Sequence, residues 1–156
     1  YVPVRQRGLP TDRLQWDANG DTRSTVEDIT DGISLRPPGP SLVERSRRLG
    51  AQMFAELQNL AARHAVIGDV RGGRGLFAIV ELVADRASRA PLAPWPKQPP
   101  ALKALAYAAL AEGFSFATRG NLIILAPPLV IGENELADAI DCLDRLLARF
   151  FPSESA

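Results

Sequence analysis

The chain has 156 residues, 46% of them apolar and 23% charged, enough for one domain with a core of useful size. Its 18 basic residues balance 18 acidic ones, so the positive excess that a general nucleic-acid or anionic-membrane binder needs is missing. A single histidine, His64, excludes a multi-histidine metal site, and a single cysteine, Cys142, excludes an internal disulfide. No apolar run reaches membrane-spanning length and the first residues lack the pattern of a signal peptide, so a cytoplasmic protein is expected.

Residues 1–40 read as an N-terminal segment and linker. Leu14 to Asp21 resembles a strand entering a turn, with Asn19-Gly20 tolerating positive φ, and Arg36-Pro37-Pro38-Gly39-Pro40 breaks both helix and ladder. Residues 41–156 are expected to form the folded domain. Ser41 with Glu44 is a capping box that opens a helix running to about Arg63, with Leu49, Met53, Leu57 and Leu60 as its apolar stripe, widened by Phe54 and Ala61.

A hairpin follows, entered through Val66, Ile67 and Val70 and continued by the β-forming run Leu76 to Val83. Between them lie Gly72, Gly73 and Gly75, which permit positive φ or close backbone approach. Ala84 to Pro100 reads as a stiff, proline-rich loop. A second helix starts at Pro99-Pro100 and ends at Glu112-Gly113. Strands at Phe114–Thr118 and Leu122–Ala126 flank the turn Arg119-Gly120-Asn121. The last helix spans about Glu133 to Phe150, with Leu136, Ile140, Leu143, Leu146, Leu147 and Phe150 on its apolar face and Glu133 and Glu135 at its positive end. The expected fold is α+β: a small antiparallel sheet built from hairpins, helices on one face, in the order helix, two strands, helix, two strands, helix.

Leu42-Val43-Glu44-Arg45, Gly68-Asp69-Val70-Arg71-Gly72, Gly75-Leu76-Phe77 and Glu81-Leu82-Val83 resemble the C-terminal region of class III aminotransferases, pyridoxal-phosphate enzymes of fold type I. Arg119-Gly120-Asn121 and Leu125-Ala126-Pro127-Pro128-Leu129-Val130-Ile131 continue the likeness in order, over roughly residues 42–147. Trp16-Asp17-Ala18-Asn19-Gly20 is similar to the N-terminal turn of the same family, but the likeness breaks at Asp21.

The resemblance implies the small domain of an enzyme that moves an amino group between an amine or amino acid and a keto acid. Such enzymes are usually homodimers, and here a homodimer or a large aminotransferase domain is the implied partner, with no role for nucleic acid or membrane. Pyridoxal phosphate belongs to the complete enzyme. Lys97, in the proline-rich loop, and Lys103, in the first helical turn, lack any Schiff-base lysine context. The glycine stretch Gly68 to Gly75 lacks the Lys-Ser/Thr ending of a P-loop. This chain alone is therefore expected to bind no cofactor and catalyse nothing, as a fragment or an internally deleted relative.

The resemblance makes Arg119 the substrate-binding candidate, for a carboxylate that its planar fork can hold with two parallel bonds; a solvated turn arginine is the alternative. The family's ornithine and γ-aminobutyrate branch places its carboxylate arginine where this chain has Ile124. Arg71 and Arg74 are expected in surface ion pairs or on backbone carbonyls, Glu81 in an ion pair with a nearby arginine, Trp16 and Trp95 in packing, and His64 at a helix end. A non-catalytic dimerisation or interaction module built on the same domain is the competing function.

Overall fold

The computed structural model describes residues 41–152. The N-terminal expectations, Trp16 among them, fall outside the described residues. Helix α1 (Leu42–Arg63) starts directly after Ser41 and buries Leu49, Met53, Leu57 and Leu60 completely. Strands β1 (Ile67–Gly72) and β2 (Ala78–Asp85) form the first hairpin, with Ile67 opposite Leu82, Gly72 opposite Ala78 and a bulge between Ile67 and Asp69. Helix α2 is Pro100–Ala111, β4 Ala117–Arg119, β5 Leu122–Leu125 and α3 Glu133–Phe150.

Segment 84–100 is not loop throughout. Ala90–Pro91 forms β3, antiparallel to the far end of β2, with Val83 opposite Pro91 and Asp85 opposite Ala90. The connection turns because Asp85 Oδ1 accepts from the Ser88 backbone N–H at 2.7 Å and from its hydroxyl, and Arg89 takes a positive φ of 57°. Proline fits a sheet edge, where no ladder hydrogen bond is required of its nitrogen.

The second hairpin is also shorter than the sequence implies. Phe114 is spent on ending α2, its N–H donating to Ala109 O at 2.9 Å, so it cannot join the ladder. Gly113, with φ 90°, is the left-handed residue just after the helix. Arg119 closes β4, and the turn itself is Gly120-Asn121, with φ 56° at Gly120.

The main sheet runs β1-β2-β5-β4, every pair antiparallel, which confirms the α+β architecture. Ala78, Val80 and Leu82 of β2 and Ile123 and Leu125 of β5 point into the core with the helix stripes. Helix α1 packs on β1 and α3, and α2 packs on α3 and β4. Arg45 donates to Ile131 O, and Arg48 meets Glu133 at 2.6 Å, tying the start of α1 to the start of α3. The N–H of Gly132 donates to Glu135 Oε2 at 2.6 Å, closing the first turn of α3.

Candidate functional site

The glycine-rich turn is a packing device. Ser46, Gly50 and Phe54 occupy one stripe of α1 at four-residue spacing, and each meets the turn. Ser46 Oγ accepts from the Leu76 N–H at 3.2 Å. A Cβ on Gly50 would lie 2.2 Å from the Gly75 carbonyl, and a Cβ on Gly73 would press on the Phe54 ring at 3.2 Å. Gly75, at φ 110°, holds a backbone that a side chain would strain. A turn closed against a helix in this way has no room to cradle a phosphate.

The neighbouring charges are similarly engaged. Arg71 Nη1 lies 2.6 Å from Glu81 and 2.8 Å from Asp69, and this pairing with Glu81 raises the arginine pKa further. Glu81 is thus the structural ion-pair partner expected of it. Arg74 is exposed and makes no hydrogen bond or ion pair among the described residues, contrary to expectation.

His64 is buried beyond the end of α1, its Nε2 2.5 Å from Asp144 Oδ1, and Arg63 meets Asp144 Oδ2 at 2.8 Å. Arg86 donates to Ala61 O at 2.6 Å and His64 O at 2.9 Å, satisfying carbonyls that the helix end leaves open. This cluster joins α1, α3 and the β2–β3 turn, and its Arg86 and Ala61 also line a shallow, open hollow beside β1. Cys142 is fully buried, its thiol 3.6 Å from Glu112, and burial followed by the Glu112 charge pushes its pKa up to about 11. A protonated, enclosed thiol is an inert packing group.

Arg119 stands apart from these. In the ladder it lies opposite Leu122, and Leu122 lies opposite Glu81. Strand alternation therefore places Arg119, Leu122, Ile124, Ile79 and Glu81 on the face away from buried Val80, Leu82, Ile123 and Leu125. This is the side of the sheet that the helices leave open. Arg119 is exposed and makes no hydrogen bond or ion pair among the described residues; its guanidinium carbon lies 5.4 Å from the centre of the Trp95 ring.

The Trp95 segment is sewn to the Arg119 turn. Asn121 Nδ2 donates to Ala93 O at 2.9 Å, and its Oδ1 accepts from the Ala93 N–H at 3.1 Å. Gln98 Nε2 donates to Thr118 Oγ1 at 2.7 Å. The ring rests on Gly120, where a Cβ would come within 2.9 Å of it. Trp95 nevertheless remains 64% exposed, so its packing is one-sided. Nothing in the proline-rich composition signals this seam. The Asn121 side chain, two residues after Arg119, is its one legible hint, since an asparagine after a turn glycine can bond to a passing backbone.

Residues 36–147 match the family model for class-III aminotransferases. The chain belongs to this family. A taurine–pyruvate aminotransferase of Rhodobacter capsulatus is 38% identical over 110 residues, covering 69% of this chain and 24% of the relative. An (R)-1-hydroxy-2-aminoethylphosphonate ammonia-lyase of Vibrio splendidus is 34% identical, over 70% of this chain and 22% of that one. Among solved structures, an amine transaminase from an uncultivated Pseudomonas species in its PLP-bound form is 35% identical with TM-score 0.62, covering 69% of this chain and 23% of the other. The chain spans about a quarter of the length of the relatives it matches.

Class III aminotransferases imply pyridoxal phosphate, and the described residues do not fit it. Lys97 and Lys103, the only lysines in the sequence, are both exposed, on a loop and on the outer side of α2. Neither sits in the dry pocket that a carbonyl-reactive amine needs. The glycine turn offers no anion cradle, and no group of three or more His, Cys, Asp and Glu side chains among the described residues could hold a metal. No helix of the described residues is long and apolar enough to cross a membrane.

Proposed function

We propose that this region is the small domain of a pyridoxal-phosphate-dependent aminotransferase, and that Arg119 binds the acid group of substrate in the complete enzyme. The carrying observation is the state of Arg119: exposed on the open sheet face, without a carboxylate partner among the described residues, and backed by an aromatic ring. A guanidinium in that state recognises an oxyanion through its N–H edge. The amino group moves between an amine or amino acid and a keto acid. Taurine and pyruvate, named for the Rhodobacter capsulatus relative, are both small acids that such an anchor suits. The complete enzyme is a homodimer in the cytoplasm, and the reactive lysine and phosphate-binding groups come from its large domain.

The test exchanges the matching region of the Rhodobacter capsulatus enzyme for residues 42–147 of this chain. The chimera should transaminate a small acid substrate, and Arg119→Leu should lower kcat/KM for it about ten- to a hundredfold while sparing an uncharged amine, the cost of one charge-assisted bond pair. An Arg119→Leu chimera with unchanged kcat/KM for the acid would refute the assignment. This chain alone should neither transaminate nor give a reductively trapped pyridoxal adduct at Lys97 or Lys103.

The exposed apolar side chains favour a second reading, a dimerisation or interaction module. Val43, Tyr107, Leu110, Leu129 and Val130 are between 47% and 72% exposed. Sedimentation of the purified chain separates the two: a discrete, tight homodimer supports the module, and a monomer or heterogeneous aggregate supports a domain lacking its large partner.

A further inference from the structure

We infer that Trp95 is a positioning residue that sets Arg119 as a ready-made oxyanion anchor, an inference that rests on the acid-binding role proposed for Arg119. A free arginine side chain carries much rotamer entropy, some of which is lost when its fork grips an anion. Placing one guanidinium face over an aromatic ring removes much of that freedom beforehand and leaves the N–H edge open. The guanidinium carbon sits 5.4 Å from the ring centre, within the range of a cation–π contact, and no carboxylate among the described residues competes for its donors.

The ring, in turn, is held by structure rather than by the arginine. Asn121 grips both backbone groups of Ala93, two residues before Trp95, and Gln98 holds Thr118 from three residues after it. Both anchor points on the sheet side flank Arg119 in sequence. Gly120 supplies the seat, because any Cβ there would come within 2.9 Å of the indole. Loop and turn therefore form one unit: moving the loop moves the ring, and moving the ring releases the arginine. Trp95 is 64% exposed despite these contacts, and no apolar core explains its placement. Positioning the neighbouring cation does.

The experiment follows the Arg119 Nε–Hε signal by NMR in the ¹⁵N-labelled chain. The wild-type signal should carry an indole ring-current shift and show a heteronuclear NOE well above that of Arg74, which is exposed and makes no ion pair among the described residues. Titration with sodium propionate, against sodium chloride at equal ionic strength, should move it saturably. Trp95→Ala should abolish the ring-current shift, lower the NOE to the Arg74 level and weaken propionate binding about two- to fivefold, the fold-change of an exposed cation–π contact of about 0.5–1 kcal/mol. Trp95→Phe should restore some of both order and binding, which a purely structural loop residue would not do.

If Trp95→Ala leaves the Arg119 NOE and the propionate titration unchanged, the positioning role is overturned. If the NOE falls in Trp95→Ala but wild-type Arg119 does not respond to propionate, the ready-made anchor is overturned, while the acid-binding role in the complete enzyme stands or falls separately with Arg119→Leu in the chimera. Backbone spectra of each variant report folding independently.

Discussion

A methyl group on Gly50 would stand 2.2 Å from the carbonyl of Gly75, so helix α1 and the glycine-rich turn meet backbone to backbone. That contact explains why a glycine sits in the middle of a 22-residue helix. In an exposed helix interior, replacing glycine by alanine stabilises by about 1 kcal/mol. Here the added Cβ has to push the helix and turn backbones away from each other, and overpacking of that kind costs typically about 1–3 kcal/mol or more. A clash with backbone at this distance sits at the upper end of that range, so Gly50→Ala should destabilise the domain by a net of about 2 kcal/mol, read as a lowered urea midpoint. A raised midpoint would show that the helix and turn are not in contact in solution.

Asn121 uses both ends of its amide on Ala93, and the Trp95 segment depends on it. Asn121→Ala leaves a half-buried donor and acceptor without partners, at a cost of about 1–3 kcal/mol. The loss should be local as well as global. Trypsin should cut after exposed Lys97 markedly faster in Asn121→Ala than in the wild type at temperatures where both are folded. Equal cleavage rates would mean that the loop is held by something other than this amide.

These two seams mark the boundary of what could be read in advance. Long amphipathic segments were legible, because a stripe such as Leu49, Met53, Leu57 and Leu60 repeats at the helical period and ends up wholly buried. The bounds of α3 follow in the same way, whereas the β-forming run Leu76 to Val83 locates β2 but sets it two residues early, the strand being Ala78–Asp85. Strand β3 is not legible, since a two-residue edge strand containing a proline carries no periodicity, and Phe114 reads as strand because its role in ending α2 is a tertiary matter. For the site, the sequence offered Arg119 and the likeness to a family, but not its neighbour. Trp95 lies 24 positions earlier and reaches Arg119 only through hydrogen bonds from Asn121 and Gln98, which leave no pattern in a single chain.

Asp144 holds buried His64 and exposed Arg63 at once, and the two contacts should differ in weight. Removing the carboxylate strands the imidazole N–H, at about 1–3 kcal/mol. The arm to Arg63, whose side chain is 58% exposed, is screened and should contribute less than about 1 kcal/mol. Asp144→Ala should consequently destabilise the domain clearly more than Arg63→Ala in denaturant titrations. If Arg63→Ala costs as much as Asp144→Ala, the anchoring of α1 to α3 runs through the arginine instead.

Cys142 provides a pH test whose sign is fixed by its surroundings. Burial first, and then the Glu112 charge, raise its pKa from an ordinary 9.0 to about 11, so the native state keeps the thiol proton over a range where the unfolded chain gives it up. Within that window the native state binds more protons, and stability must fall as pH rises. The contribution is complete below about 9 and is lost as pH climbs to about 11. Cys142→Ser would keep a donor facing Glu112, so Cys142→Ala is the cleaner comparison: its stability should decline less between these two pH values than that of the wild type. At neutral pH the native thiol should resist an aromatic disulfide reagent and react fully once the chain is unfolded in guanidinium. Rapid labelling of the folded chain at neutral pH would show that the α2–α3 interface opens far more often than its packing implies.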